Sequence, residues 1–298
     1  MSSEGAVRAD AIARPATPAL ERRAPRHPRR RPSAWHLLLL PLSLIFIFPF
    51  VQMLLASFMT TREINAYPPA LFPHHPTLQA YGTVLRDSDF PLWFRNSLIV
   101  TSVAVVSQLL LCPLAGYAFA RMRFIGTRTL QLLLLTTVFI PPQLLMIPVY
   151  KMYAAVGLVG TLPSLFLPWM ASAISIFLMR QFFIRLPREI EEAAMIDGCS
   201  RLGVFARVLL PLMRPALVTI ALLTILNAWN DFLWPLISIS DESKYTLQLG
   251  LLTYQGAHHT EWAAVMATNV MVTLPLLIVF LLCQRVFVRS LTFSSVKG

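Results

Sequence analysis

The sequence predicts an all-α, polytopic membrane protein: six transmembrane helices with a two-helix insert on the cytoplasmic side. Three observations lead there. Hydrophobic residues make up 56% of the chain and charged residues only 13%, more apolar surface than a single aqueous core absorbs. The apolar residues fall into six long stretches, and the basic residues are spread unevenly among the segments between them.

Residues 1–33 are rich in Arg, Pro and Ala and almost devoid of large apolar side chains. Such a segment cannot bury enough surface to order itself, so it reads as a disordered basic cytoplasmic tail ahead of a membrane domain spanning 34–298. The apolar stretch after Arg31 is longer than a secretory signal's core and is interrupted by proline. It is expected to remain as an uncleaved first span rather than to act as a cleaved or twin-arginine signal.

A spanning helix needs roughly 20 apolar residues to cross about 30 Å of hydrocarbon. Stretches at about 34–58, 97–120, 130–150, 161–184, 215–239 and 263–288 meet or approach that length. With the N-terminus inside, 20 of the 25 Lys and Arg residues are on the cytoplasmic side, leaving Arg62, Arg86, Arg95, Lys151 and Lys244 outside. Basic residues are retained inside, so both termini and the insert are expected to be cytoplasmic. The formal charge of +11 is thereby a topology signal and an attraction to anionic lipid, not the mark of a nucleic-acid partner.

Prolines recur within the spans, at 41, 49, 113, 141, 142, 148, 163, 168, 235 and 275. Each removes a backbone donor and bends a helix, which a bilayer tolerates where neighbouring helices or a wet cavity satisfy the freed carbonyls. Bent helices suit a conduit that changes shape, although proline is also generally more frequent in membrane helices.

The fifth span is the most polar, with Asn227, Asn230 and Asp231 three and four residues apart and so expected on one helical face. A carboxylate at bilayer depth is costly, so Asp231 should face protein or water. The stripe is a candidate translocation path. It would equally pin the span to its neighbours, or lie near the interface with Trp229 and Trp234.

The insert occupies about 186–214. Pro187 can open a first helix, and Glu189, Glu191 and Glu192 sit in its early turns, where carboxylates favour the positive helix end. Gly198 is a C-terminal stop that accepts the left-handed conformation. Ser200 is an N-cap for a second helix, whose apolar face is expected to hold Leu202, Phe205, Ala206 and Leu209, and Pro211 marks the approach to the membrane. Ala193 and Ala194 keep the first helix slim, so a partner surface can come close. The shape suits insertion into a groove on a cytoplasmic protein.

Catalytic signatures are missing. Cys112, Cys199 and Cys283 lie far apart, and the pairs His74–His75 and His258–His259 have no ligand-spaced companion, so neither a metal site nor a disulfide framework is expected. The chain contains no nucleophile elbow, no phosphate-binding loop and no His-Glu-x-x-His. It is expected to be a transport subunit without an ATPase site of its own.

The insert carries a more specific pattern: Glu192-Ala193-Ala194, three residues, Gly198, nine residues, then Val208-x-Leu210-Pro211. This resembles the coupling motif of ABC importer permeases, with Val208 where the family usually has Ile. Trp93-Phe94-Arg95-Asn96-Ser97-Leu98, Trp229-Asn230-Asp231-Phe232-Leu233-Trp234-Pro235 and the closing Val296-Lys297-Gly298 are similar to the carbohydrate-type permeases, the group of the smaller permease subunit of the maltose importer. The resemblance runs from about residue 34 to the end. It departs at the tail, where Ser290 and Ser294 stand at positions the family commonly gives to glycine.

The resemblance implies a subunit of a binding-protein-dependent importer in the bacterial plasma (inner) membrane, carrying a sugar or polyol. Its implied partners are a second permease subunit, a cytoplasmic ATPase dimer and an extracytoplasmic solute-binding protein. Glu192, Ala193, Ala194, Gly198, Val208, Leu210 and Pro211 would couple ATPase motion to alternating access. The chain itself would bind no cofactor, the ATP being used by the partner ATPase. A self-sufficient secondary transporter or channel is the competing class; it would call for more intramembrane ionisable residues than Asp231, or for inverted repeats.

Overall fold

A computed structural model describes residues 35–295 apart from 69, 87 and 256–259. The N-terminal tail expected over 1–33, His258–His259 and the closing Val296-Lys297-Gly298 lie outside the described residues. The chain divides into two units, 1–47 and 48–298. The first unit's described part is the leading stretch of helix α1 (Trp35–Ala56).

The described part of the second unit is mainly helical. After a single capped turn at Thr61–Ile64 come α2 (Gln79–Arg86) and α3 (Phe90–Arg121), followed by α4 (Thr127–Phe139) and α5 (Pro142–Ala155). Short turns over Leu162–Trp169 lead into α6 (Ala173–Arg185). The insert contributes α7 (Glu189–Ile196) and α8 (Arg201–Leu212). Then come α9 (Arg214–Trp229), α10 (Leu233–Ser238) and α11 (Trp262–Ser295). Among the described residues the one β pairing is an isolated bridge between Gln255 and Thr260.

Among the described residues four helical stretches are long and apolar enough to cross a membrane: Leu38–Ala56, Phe90–Arg121, Leu162–Arg185 and Trp262–Gln284. Two more qualify only as bent pairs, α4 with α5 at 108° and α8 with α9 at 76°. The continuous third span expected over 130–150 is therefore broken. Pro141 and Pro142 explain the break, because each removes a backbone donor and the residue ahead of a proline is driven out of the α region. By contrast, Pro113 and Pro275 sit inside continuous helices.

Helix α3 is the organising element, packed along α6 and α9, and α9 in turn packs on α11. Its 32 residues rise about 48 Å, more than a bilayer core requires. At the α3–α6 crossing Gly116 is essential: a Cβ there would lie 2.6 Å from Met179 Cβ. Two apolar clusters mark the ends of α3. Phe90 and Trp93 meet Trp229, Leu247 and Tyr254 at one end, while Met179, Phe183, Phe205, Leu209 and Ile220 cluster at the other. The second cluster roots the insert in the helical body.

Candidate functional site

The insert is a helix, a sharp reversal and a second helix. Arg188 occupies the position ahead of α7, so Pro187 lies just outside the helix rather than opening it. Glu189, Glu191 and Glu192 fill the first turn, complementing the positive end of the helix. The stop is a complete Schellman closure: Gly198 N–H donates to Met195 O at 3.1 Å and Cys199 N–H to Ala194 O at 3.0 Å. Gly198 adopts φ +87°, as its position in the sequence predicts. Ser200 caps α8, its Oγ accepting from Gly203 N–H at 3.2 Å.

Helix α8 keeps Phe205 and Leu209 of the expected apolar face but not Leu202 and Ala206. Residues Val204–Leu209 wind as a π-helical segment, with Leu210 N–H bonding back to Phe205 O. Pro211 lacks the N–H that an α-helix would aim at the carbonyl of Arg207, and the wider turn accommodates that loss. Within this segment Val204, Phe205 and Leu209 are buried. Leu202, at 69% exposure, and Ala206 face outward instead.

Glu191 is the buried member of the three glutamates. Its Oε1 lies 2.5 Å from Arg121 Nε at the end of α3, an ionic contact whose N–H is not aligned on the oxygen. Arg121 also donates from Nη2 to Leu186 O at 2.6 Å, tying α3 to the start of the insert. Tyr117, one turn earlier on α3, meets the edge of Phe183 at 5.6 Å and the ring of Phe205 at 5.2 Å. A cleft of about 460 Å³ opens between α3 and the insert, bordered by Tyr117, Arg121, Arg188, Glu192 and Arg201.

Around this braced base the motif residues divide. Glu192, Ala193, Gly198 and Pro211 are exposed, whereas Ala194, Val208 and Leu210 are half-buried. Beside the Gly198 turn the surface is apolar, with Met195 43%, Ile196 86% and Leu202 69% exposed. Arg121 and Glu191, which brace the insert, are residues that sequence spacing did not single out, because nothing local distinguishes Glu191 from Glu189 and Glu192.

The polar stripe of the fifth span does not form one helical face. Helix α9 ends at Trp229, leaving Asn230 as its cap and Asp231 in a break before α10. Pro235 accounts for the break, since it cannot donate to the carbonyl of Asp231. Asn227 and Asn230 remain together on an exposed surface, where Asn230 Oδ1 accepts from Gln248 Nε2 at 3.2 Å. Asp231 is separated from them. Its Oδ2 accepts from Trp169 Nε1 at 3.0 Å and its Oδ1 from Trp234 N–H at 3.4 Å.

At the opposite end of α3 from the insert, the Trp93-Asn96-Ser97 group binds the backbone of the loop after α10. Trp93 Nε1 donates to Glu242 O at 3.1 Å, Asn96 Nδ2 to Ser243 O and Tyr245 O at 3.0 Å each, and Ser97 Oγ accepts from Leu247 N–H at 2.8 Å. Among the described residues no cluster of three His, Cys, Asp or Glu could hold a metal ion.

Apolar helices broken at prolines, together with a rooted insert that presents an apolar tip, define a helical membrane permease. The chain belongs to the binding-protein-dependent transport system inner membrane components, whose family model matches residues 113–293. It is 35% identical over 260 residues to the arabinooligosaccharides transport system permease protein AraQ of Halalkalibacterium halodurans, covering 86% of this chain and 93% of that one. To the trehalose/maltose transport system permease protein MalG of Thermococcus litoralis it is 33% identical over 262 residues, covering 86% and 94%. A solved chain of a bacterial ABC transporter involved in import of the acidic polysaccharide alginate superimposes with a TM-score of 0.75 at 26% identity, covering 84% and 93%. Membership makes this chain an ABC importer permease and sets aside the self-sufficient transporter or channel.

Proposed function

We propose that the chain is one of two membrane subunits of a heteromeric importer for a sugar or polyol, driven by an ATPase dimer and supplied by an extracytoplasmic solute-binding protein. The relatives named for arabinooligosaccharides and for trehalose/maltose support that cargo class. The four long apolar stretches and two bent pairs support a count of six spans. The distribution of Lys and Arg supports cytoplasmic termini and a cytoplasmic insert.

The observation that carries the mechanism is the contrast between the two ends of the insert. Its base is immobilised by the Arg121–Glu191 pair and by buried Phe205 and Leu209, whereas its tip exposes Met195, Ile196 and Leu202. An exposed apolar tip on a rigid base suits docking into a groove of the ATPase. Glu192, Ala193, Ala194 and Gly198 shape the docking helix and its stop, and Val208, Leu210 and Pro211 carry the return to α9. Closure of the ATPases moves the insert as a lever, and the helices rooted to it shift between inward and outward access. ATP is bound and hydrolysed in the ATPase; this chain binds no cofactor and transmits motion. The access equilibrium moves only as far as ATP-bound contacts favour one state over the other. Asn227 and Asn230 line the solute path beside the break at Asp231.

Affinity capture of the chain from its native membrane, followed by reconstitution, tests this reading. Recovery of an ATPase and a second permease, with uptake requiring ATP and the binding protein, is the expected result. Solute transport by this chain alone in liposomes would overturn it. Ligand binding to the partner solute-binding protein then identifies the cargo.

A further inference from the structure

We infer that Asp231 is a positioning residue: through Trp169 it locks two helix breaks into one unit, so that the breaks move together when the permease changes access. This rests on the importer reading above.

The first break is the interruption at 170–172, between the short turns over Leu162–Trp169 and α6, and the second is the gap between α9 and α10. The residues beside them bond to one another. They exchange tryptophan N–H groups. Trp169 Nε1, just ahead of the first break, donates to Asp231 Oδ2 in the second at 3.0 Å, and Trp234 Nε1, in α10 just after the second, donates to Ser164 O ahead of the first at 2.8 Å. Trp169 is anchored from behind as well. Its carbonyl accepts from Gln108 Nε2 at 2.9 Å, and Gln108 Oε1 accepts from Ser175 Oγ at 2.7 Å. A continuous chain of hydrogen bonds thus runs from α6 through α3 and Trp169 to Asp231, with Gln108 and Ser175 both buried.

The carboxylate suits this place because both oxygens accept, one from beside each break, and it carries no donor to be left unpaired. Among the described residues the ion pairs are Arg121–Glu191 and Lys244–Asp241, so Asp231 is held by neutral N–H donors alone. Half-buried Asp231 spends one lone pair of each oxygen on these two bonds, which gives it a structural task independent of solute. Asn227 and Asn230 lie on the exposed surface, where their amides donate to Leu223 O and Leu226 O.

The test uses the complete importer reconstituted in liposomes, with initial uptake and ATP hydrolysis measured together. Asp231→Ala and Trp169→Phe should each lower solute carried per ATP by about tenfold, the scale of one lost charge-assisted hydrogen bond. The double variant should be no worse than either single, since both remove the same link. Asp231→Asn retains one acceptor for the indole but replaces the other with an NH2 donor, so it should lose less coupling than Asp231→Ala, with KM for the solute unchanged. Equal damage from Asp231→Asn and Asp231→Ala, a KM change confined to Asp231 variants, or full coupling in Trp169→Phe would overturn the inference. Lack of ATP-dependent uptake by the unmodified complex would instead refute the importer reading.

Discussion

Arg121 at the end of α3 and Glu191 in the first turn of α7 pair at 2.5 Å with both side chains almost fully buried. The pair joins the helical body to the insert, and Arg121's second bond, to Leu186 O, fixes the approach of the chain into α7. Removing one partner leaves the other charge buried without compensation. Glu191→Ala should therefore destabilise the assembled protein by about 3 kcal/mol. It should also expose the insert to proteolysis. Replacing both residues with apolar ones of similar size should restore much of the stability, as read by thermal denaturation in detergent.

Gly198 at φ +87° has nothing within 4 Å of an added Cβ, so substitution there costs backbone strain and no steric clash. Asparagine tolerates the left-handed region best and β-branched residues worst. Loss of ATP-coupled uptake should rise in the order Asn, Ala, Val, with strain of about 1–2 kcal/mol for alanine. Membrane insertion should stay normal throughout. Undiminished uptake and ATPase docking in Gly198→Val would refute the lever.

Glu63 organises the loop after α1. Its Oε2 accepts from Thr60 N–H at 2.9 Å, and its Oε1 from His74 and His75 N–H at 3.0 and 2.9 Å. The Thr60 N–H foremost, with the His75 and His74 N–H groups and the Thr60 hydroxyl, brings the carboxyl from 4.5 down to about 2. A depressed carboxylate stabilises the loop above its unfolded value and ceases to do so as pH falls through its folded value. Protection of the His74 and His75 amides, as exchange relative to the intrinsic rate at each pH, should thus be present above about pH 4.5 and be lost as pH falls toward about pH 2. Glu63→Gln should lower that protection at neutral pH.

Gly250 lies under the Trp93 ring, where an added Cβ would come within 2.2 Å of the indole. Gly250→Ala should loosen the loop held by Trp93, Asn96 and Ser97, at a cost of about 1–3 kcal/mol. Trimming the indole, as in Gly250→Ala with Trp93→Leu, should recover part of that loss in a thermal melt.

Much of the insert was legible because its signals are local. A glycine stop, a serine cap and an N-terminal cluster of carboxylates act within one or two turns, and Gly198 and Ser200 behave accordingly. The apolar face of α8 was legible only in part: Phe205 and Leu209 are buried as expected, whereas Leu202 and Ala206 are exposed. The helix widens into a π-helical segment over Val204–Leu209 ahead of Pro211, and Val204 is buried there in addition. The stripe at Asn227, Asn230 and Asp231 failed for a similar reason: periodicity assumes an unbroken helix, and α9 stops at Trp229.

By itself the sequence determined an all-helical chain of long apolar stretches, the position of the insert, and a motif whose spacing marks an importer permease. Those properties reside in composition and in intervals of a few residues. Tertiary structure alone decided that Glu191 rather than Glu189 or Glu192 meets Arg121, and that Asp231 turns from Asn230 toward Trp169. Each choice depends on which distant segment supplies a partner for a group that cannot stay buried alone, and that is settled only when the helices pack.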